Sequence, residues 1–563
     1  MAQRMAKEMA RSGHVDTFAR DNLPPREQWP EFRFDLPDLQ YPERLNCVTQ
    51  WVDRWVAEGQ GGRTCMISPG EALTYTQFHE RVNRIANVLT RDLGLVPGNR
   101  VLLRGPNNPM MVASYFAVIK AGGVVVATMP LLRAKELSYP LAKAKIALAL
   151  CDVRLADEME KAKAQSADLK RVVYWGQGGQ GGQEGKGAEL EALMSKPGYE
   201  NFTACDTASD DVCLIAFTSG TTGEPKGTMH FHRDMLAICD SYAKHVLRAE
   251  PTDRFTGSPP LAFTFGLGGL VLFPLRIGAS TVLLEQAGPD QLLDAIAKYK
   301  ITIPFTAPTA YRAMLGKLKD FDISSLRKCV SAGETLPKAT FDAWHQATGI
   351  RILDGIGATE MLHIFIGSHE SEVRPGSTGR PVPGYEARIL DGDGNVAKPG
   401  TVGRLAVRGP TGCRYLADAR QKKYVQDGWN VTGDTYLMDE DGYFWYQARS
   451  DDMIISAGYN IAGPEVEAAL LTHAAVAECG VVGCPDEERG QIVKAYVVLR
   501  AGASGDAAMV KALQDHVKAT VAPYKYPRAV EFVAELPKTQ TGKLQRFELR
   551  KMAAAGASQK LAS

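Results

Sequence analysis

Val212-Cys-Leu-Ile-Ala-Phe217, followed at once by Thr218-Ser-Gly-Thr-Thr-Gly-Glu-Pro-Lys226-Gly227, is the stretch on which the fold assignment turns. The first six residues predict a buried strand. The next ten combine hydroxyls, glycines and one lysine. Thr218, Ser219, Gly220, Thr221, Thr222, Gly223 and Lys226 can therefore converge on an anion at the strand's carboxyl end, where backbone N–H groups also turn inward. This predicts a phosphate-holding loop. It is not the Walker loop, which needs Gly-Lys-Ser/Thr, because Pro225 precedes Lys226 and Gly227 follows it. A plain solvated turn of Ser, Thr and Gly would lack the ordered Pro-Lys-Gly end.

Outward from this loop, from about Leu73 to Asp290, short Val/Ile/Leu runs alternate with helical patterns such as Tyr75 to Leu89. That alternation predicts βα units, largely parallel sheets and an α/β class. Gly176 to Gly187, GQGGQGGQEGKG, reads as a surface loop inside the large domain. After Ser377, the runs Glu386-Ala-Arg-Ile-Leu390 and Gly403-Arg-Leu-Ala-Val-Arg408, with the turn Asp391-Gly-Asp-Gly394 between them, predict hairpins of a β-rich subdomain. A boundary is expected near Arg449, dividing the chain into residues 1–449 and 450–563. Beyond it, Gly463-Pro-Glu-Val-Glu-Ala-Ala-Leu-Leu471 opens as a helix with Pro in its first turn, and Ala495 to Arg500 reads as a strand. The second part is thus a small α+β domain. There is no fixed-period repeat.

The whole chain narrows the function. Its 563 residues exceed one ordinary core, which at roughly 150 residues per domain predicts two to four units. A net charge of +1 with 23% charged residues supplies no overall field for nucleic acid or a membrane surface. The ten cysteines are scattered, only Cys479 and Cys484 being close, and fit free thiols in a reducing cytoplasm. Met1 to Arg11 lacks a secretory apolar run. Met110 to Met129 is the most apolar window, but Lys120 and Gly122-Gly123 divide it into a helix-like and a strand-like half, too short to span a bilayer. His230-Phe-His232 has no third ligand or cysteine cluster nearby in sequence, so a metal role is not expected there. No Gly-x-Ser-x-Gly elbow presents a nucleophile.

Five further segments accompany the loop: Ser331-Ala-Gly-Glu334, Asp354-Gly-Ile-Gly-Ala-Thr359-Glu360, Gly428-Trp-Asn-Val-Thr-Gly433-Asp434, Tyr446-Gln-Ala-Arg449-Ser-Asp451-Asp452, and Pro537-Lys-Thr-Gln-Thr-Gly542-Lys543. The second fails the dinucleotide fingerprint, since Glu360 stands where its third glycine belongs. In order and spacing the set resembles the adenylate-forming superfamily of acyl-CoA synthetases, peptide-synthetase adenylation domains and luciferases, over nearly the entire chain.

That resemblance implies an ATP- and Mg²⁺-dependent enzyme with a mobile carboxyl-terminal lid, using CoA as co-substrate. Ser331, Ala332, Gly333 and Glu334, with Asp354, Gly355 and Ile356, would line the adenine site, Ile356 standing where the family often has Tyr. Thr359 would bond the α-phosphate and Glu360 hold Mg²⁺, a hard cation suited to oxygen ligands. Asp434 would accept the ribose hydroxyls and Arg449 reach ribose or phosphate. Asp451 would be the hinge, and Ala448 replaces the usual glycine before Arg449. Lys543 would be the lid's catalytic lysine, offsetting charge on the transferred group. Gly458 and Tyr459 would pass the CoA arm.

The acid site would come from Phe263, Thr264, Phe265, Gly266, Gly357, His363 and Ile364, in segments that resemble benzoate-CoA ligases. Paired aromatics beside a small residue suit a flat ring, and Thr264 stands where such ligases can carry a small apolar residue, so its hydroxyl can meet a polar ring substituent. The stretch His14 to Trp29 looks like that of 2-aminobenzoate-CoA ligases. The expected reaction is 2-aminobenzoyl-CoA formation, with benzoate as the alternative acid and a carrier protein as the alternative acceptor. Phe263-Thr-Phe265 lacks the acid that an amino-acid-activating domain uses for an α-ammonium. A luciferase-like oxygenase and a non-catalytic binder share the scaffold, and a homodimer is compatible with it.

Overall fold

A computed structural model describes residues 9–176, 188–218, 225–449, 452–456, 459–486, 489–538 and 544–562, with no side-chain description at 459–460 or 556–562. The strand Val212–Phe217 forms as its apolar run predicts, buried except at its last residue. It lies in a six-stranded sheet ordered Arg171–Trp175, Leu148–Asp152, Arg100–Arg104, Val124–Thr128, Val212–Phe217, Gly227–Phe231. The joins among the first five are parallel, and only the last, across the phosphate loop, is antiparallel. The strands Arg100–Arg104, Val124–Thr128 and Leu148–Asp152 are wholly buried, as parallel strands covered on both faces must be.

Local signals set the intervening helices. Thr74 caps Tyr75–Asn87, accepting from the Gln77 N–H while Gln77 Oε1 accepts from the Thr74 N–H, a reciprocal capping box. Asn108 caps the buried helix Pro109–Lys120, whose proline occupies the first turn. Gly122, at φ +81°, then turns the chain into Val124–Thr128, and a Cβ there would meet Cys205 Sγ at 2.7 Å. The split apolar window of the sequence is therefore one buried helix and one buried strand. Among the described residues no helix is long and apolar enough to cross a membrane.

A second, nine-stranded sheet runs Arg380–Pro381, Ile364–Gly367, Ile352–Gly357, Cys329–Ala332, Ile303–Thr306, Arg254–Gly257, Ser280–Val282, Thr64–Ser68, Glu71–Thr74. It is parallel through its centre and antiparallel at both ends. Its neighbour is the expected β-rich unit, where Glu386–Leu390 pairs with Val402–Arg408, and Trp429–Met438 lies between Val402–Arg408 and Phe444–Arg449. Past Arg449, the hairpin Ile454–Ser456/Tyr459–Ile461 and a three-stranded sheet of Val476–Asp486, Gly490–Leu499 and Ala529–Phe532 pack with the helices Gly463–Leu471, Ala507–Thr520 and Arg546–Ala562 around two apolar clusters of their own. The helix at Gly463 has the bounds its sequence predicts. The strand expected at Ala495 begins earlier, at Gly490, because Gln491 to Lys494 also pair along Val476–Asp486. The glycine-rich segment after Gly176 lies outside the described residues.

Candidate active site

The expected phosphate loop follows Val212–Phe217 in the chain, and beyond it Gly227–Phe231 pairs antiparallel with that strand. Its neck is closed by the Thr218 N–H donating to the Lys226 carbonyl at 2.9 Å. Ser219, Gly220, Thr221, Thr222 and Gly223 lie outside the described residues. Lys226 Nζ reaches across to a second polypeptide segment, donating to the Tyr415 hydroxyl at 2.9 Å and lying 3.5 Å from Glu360 Oε1.

Glu360 stands in the 3₁₀ turn Thr359–Met361 at the end of Ile352–Gly357, and is buried. Two neighbours hold this turn by its backbone. Thr411 Oγ1 donates to the Met361 carbonyl at 2.7 Å, and His230 Nε2 sits 2.9 Å from the Thr359 carbonyl. Burial, with the Arg414 guanidinium adding to it, pushes the His230 imidazole down to about 3, so the ring is neutral and its Nε2–H donates to that carbonyl. Behind His230, Arg414 and Asp234 form an ion pair with both side chains at 0% exposure.

The expected adenine segments lie side by side in register, Ser331 opposite Asp354 and Ala332 opposite Gly355. Gly333 follows with φ +88°, turning the chain away before Glu334. Desolvation pushes the Asp354 carboxyl up to about 8 against the Gly355 N–H and the Ser331 hydroxyl, and among the described residues its Oδ1 has no hydrogen-bond partner. Ile356 is half-buried on the same strand. Asp434 and Arg449 are cross-strand partners, with Arg449 Nη1 3.1 Å from Asp434 Oδ1. Desolvation raises the Asp434 carboxyl, the Arg449 charge and the Thr432 hydroxyl opposing it, and the Glu360 charge adds to the rise. Lys226, Glu360, Asp434 and Arg449 thus converge from three different sheets.

Three residues after Glu360, His363 is enclosed by rings. Its centroid lies 4.5 Å from Phe273, 5.6 Å from Phe265, 5.7 Å from Tyr242 and 6.5 Å from Phe305. Burial pushes this imidazole down to about 3 against the Phe265 backbone, and among the described residues neither ring nitrogen finds a partner at hydrogen-bonding geometry. Small residues make the enclosure close: a Cβ on Gly268 would meet His363 Cδ2 at 2.3 Å, and one on Gly357 would meet the His363 carbonyl oxygen at 2.8 Å. Gly266 cannot carry a Cβ beside the Pro260 carbonyl at 2.2 Å. Thr264 and Ile364 are buried beside these elements. Phe263 caps the short helix Thr264–Leu267 and makes no ring contact with His363 among the described residues.

Several residues of this arrangement escaped the sequence reading. Tyr415, Phe273, Phe305 and Tyr242 come from elements far apart in the chain, and no local pattern marks them. The sequence also shows no cysteine cluster near His230-Phe-His232, yet folding brings Cys47 and Cys213 against His232, with Cys47 Sγ 3.2 Å from Nδ1 and the three ligand atoms within 4.8 Å of one another. That expectation is corrected: a cysteine cluster does accompany His232, from a distant turn and the adjacent strand. The Cys47 backbone N–H already donates to the same Nδ1 at 3.2 Å, which gives the ring a partner without an ion.

Asp451, Gly458 and Lys543 lie outside the described residues, and only the backbone of Tyr459 is described, in the strand Tyr459–Ile461. The segment carrying Lys543 is bracketed by a bridge between Lys538 and Leu544 and by the Gln545 N–H donating to the Pro537 carbonyl at 2.9 Å.

Residues 53–415 match the family described as AMP-binding enzyme, and residues 465–543 match the AMP-binding enzyme C-terminal domain. The chain is 36% identical over 521 residues to the benzoate–CoA ligase of Thauera aromatica, covering 91% of this chain and 97% of that ligase. Among solved structures it is similar to the anthranilate CoA ligase AuaEII in complex with anthranoyl-AMP, at TM-score 0.87 and 34% identity, covering 93% of this chain and all of the other (100%). It is similar also to a benzoate CoA ligase from Burkholderia xenovorans LB400, at TM-score 0.80 and 31% identity, covering 90% and 100%.

Proposed function

The chain belongs to the AMP-binding enzyme family, the adenylate-forming acyl-CoA ligases, and from that membership and the site geometry we propose the following assignment of acid and residues. The protein is an ATP-dependent, AMP-forming aryl-CoA ligase that acts through an acyl-adenylate on a small aromatic acid such as benzoate or anthranilate. The observation that carries the finer reading, 2-aminobenzoate, is the neutral His363 imidazole among Phe265, Phe273 and Phe305. A ring-lined pocket favours a flat acid by its faces and edges. A neutral imidazole keeps one nitrogen as an acceptor, which suits the N–H of an amino substituent, and the Thr264 hydroxyl offers a second polar contact.

In the first half-reaction a carboxylate oxygen attacks the α-phosphorus, the bond to the β-phosphate oxygen breaks, and pyrophosphate leaves with that electron pair. In the second, the CoA thiol sulfur attacks the acyl carbon, the bond from that carbon to the AMP phosphate oxygen breaks, AMP leaves with that electron pair, and the thiol proton passes to solvent. We assign Lys226, the hydroxyl loop and Thr359 to the phosphates, Ser331 to Glu334 with Asp354 to Ile356 to the base, Asp434 to the ribose diol and Arg449 to ribose or phosphate. Lys543 serves the first half-reaction, with Asp451 as hinge and Gly458 and Tyr459 beside the CoA arm. Glu360 is the Mg²⁺ carboxylate. The donor set fits that ion, because both side-chain contacts of Glu360 fall on Oε1 and among the described residues Oε2 accepts no hydrogen bond. Bound there, Mg²⁺ supplies charge neutralisation for the phosphates. The protein's own work is to position like-charged reactants and exclude water.

The test is AMP formation with ATP, Mg²⁺ and CoA across 2-aminobenzoate, benzoate, 2-hydroxybenzoate and hexanoate. The expected kcat/KM is highest for 2-aminobenzoate, by about tenfold or more over benzoate, since a buried polar contact left unmade discriminates strongly. Benzoate leading would remove the amino contact, and hexanoate leading would remove the aromatic pocket.

A further inference from the structure

We propose that Tyr415 is a positioning residue that holds the phosphate-loop lysine and the magnesium carboxylate in one fixed relation; the inference rests on the nucleotide site assigned above. Tyr415 is fully buried. Its hydroxyl accepts from Lys226 Nζ at 2.9 Å and donates to Glu360 Oε1 at 2.5 Å, while Lys226 and Glu360 themselves stand 3.5 Å apart. One hydroxyl therefore uses a lone pair toward the cation and its proton toward the anion.

The backbone makes this bridge rigid. Tyr415 forms a bridge with Thr228, and the flanking bonds Met229 N–H to the Arg414 carbonyl and Leu416 N–H to the Gly227 carbonyl, both 2.8 Å, pin residues 414–416 along the strand that leaves the phosphate loop. The Tyr415 N–H donates to Gln421 Oε1 at 2.9 Å, and its ring lies edge-on to Tyr424 at 5.8 Å. The hydroxyl thus moves with the Lys226 strand, whereas Glu360 belongs to the other large sheet. Occupying Oε1 from the loop side leaves Oε2 as the oxygen presented to a cation. Without the hydroxyl, Lys226 and Glu360 are free to close directly on each other, and the carboxylate loses the partner that aims it.

The test compares equilibrium binding of ATP to the full chain by calorimetry, with Mg²⁺ and with the metal chelated, for the unmodified protein and for Tyr415→Phe. Removing a charge-assisted hydrogen bond predicts about a tenfold weaker Kd for Mg-ATP, equivalent to about 1.4 kcal/mol, with metal-free ATP changed by less than about twofold. In AMP formation the same variant should raise the ATP KM by a similar factor and lower kcat by less than about threefold at saturating Mg²⁺. Unchanged binding, or equal loss with and without Mg²⁺, overturns the proposal. Near-ultraviolet circular dichroism checks the fold. Should Tyr415→Phe not fold, Tyr415→Met, which fills the ring's place without a hydroxyl, is expected to lose the same Mg²⁺-dependent factor, and an unchanged ratio in that variant overturns the proposal. If the unmodified protein binds ATP without any Mg²⁺ dependence, the nucleotide-site assignment itself fails, and the inference falls with it.

Discussion

Gly268→Ala should close the proposed aryl pocket from behind. The added Cβ would lie 2.3 Å from His363 Cδ2 and 2.8 Å from Nε2. Carbon atoms rest at about 3.5–4.0 Å, so the imidazole has to retreat by more than about 1 Å. Phe273 stands 4.5 Å away edge-on, and Phe265, Phe305 and Tyr242 crowd the ring further, so retreat among these rings is resisted. Overpacking of one methyl in such a core typically costs about 1–3 kcal/mol. If the ring relieves the clash by moving into the acid site, about 1.4–2.8 kcal/mol of lost acid binding corresponds to roughly 10- to 100-fold in KM. The assay is steady-state AMP release with the acid and ATP varied separately. The acid KM should rise by that factor while the ATP KM stays within about twofold. His363→Ala in the same chain creates room for the methyl, so the double variant should lose less than the sum of the two single losses. Strict additivity, or a Gly268→Ala enzyme with unaltered acid KM, would refute the enclosure as the basis of the acid site.

Lys543→Ala should slow adenylation by about 10²- to 10³-fold, the usual loss for a positioned charge-stabilising group, while sparing thioester formation from supplied acyl-AMP. Pyrophosphate release and thioester formation, followed separately, decide this, and equal loss in both contradicts the assignment. Asp354 titrates at about 8 in the folded protein against 3.8 ordinarily, so between those values the native state holds a proton that the unfolded chain has released. Stability contributed by this group therefore falls as pH rises from about 4 to 8. Asp354→Asn should accordingly gain melting temperature relative to the unmodified chain as pH rises through that window, and a gap independent of pH would count against the neutral acid. Arg414→Met leaves Asp234 buried without its partner and should cost about 3–5 kcal/mol in denaturant unfolding, whereas Arg414→Met with Asp234→Leu should recover much of it.

Much of this architecture was legible in the chain, and the reason is periodicity. Val212 to Phe217, Pro109 to Lys120 and Gly463 to Leu471 each carry an apolar pattern with a turn or cap at its end, so local chemistry and tertiary burial agree. The ordered motifs marked Ser331, Asp354, Asp434 and Arg449 as residues of one site, and the folded sheets set Ser331 opposite Asp354 and Asp434 opposite Arg449. The pocket wall was less legible. Phe263 looks equivalent to Phe265 in sequence, but the helix that begins at Thr264 turns only Phe265 toward His363. Phe273, Phe305 and Tyr242 reach the same ring from a helix, a parallel strand and a π-helical segment, an encounter that only long-range packing creates. Tyr415 was invisible for the same reason, since nothing near it in sequence indicates pairing with Thr228. The cysteine contacts of His232 join residues 47, 213 and 232, separations at which spacing rules for ligands are silent.

The four charged groups assigned above to the nucleotide reside on three separate sheets, and on that proposal ATP acts as a structural fastener as well as a substrate. Lys226 follows the six-stranded sheet, Glu360 the nine-stranded one, and Asp434 with Arg449 the β-rich unit. Any excursion that separates these sheets dismantles the site, so only the docked arrangement binds. Mass action then gives nucleotide at about 100 times its Kd some 2.7 kcal/mol of resistance to every such excursion. Proteolytic nicking and thermal melting should be suppressed together by nucleotide, and a fragment lacking one sheet should lose that protection entirely rather than in proportion to the residues removed.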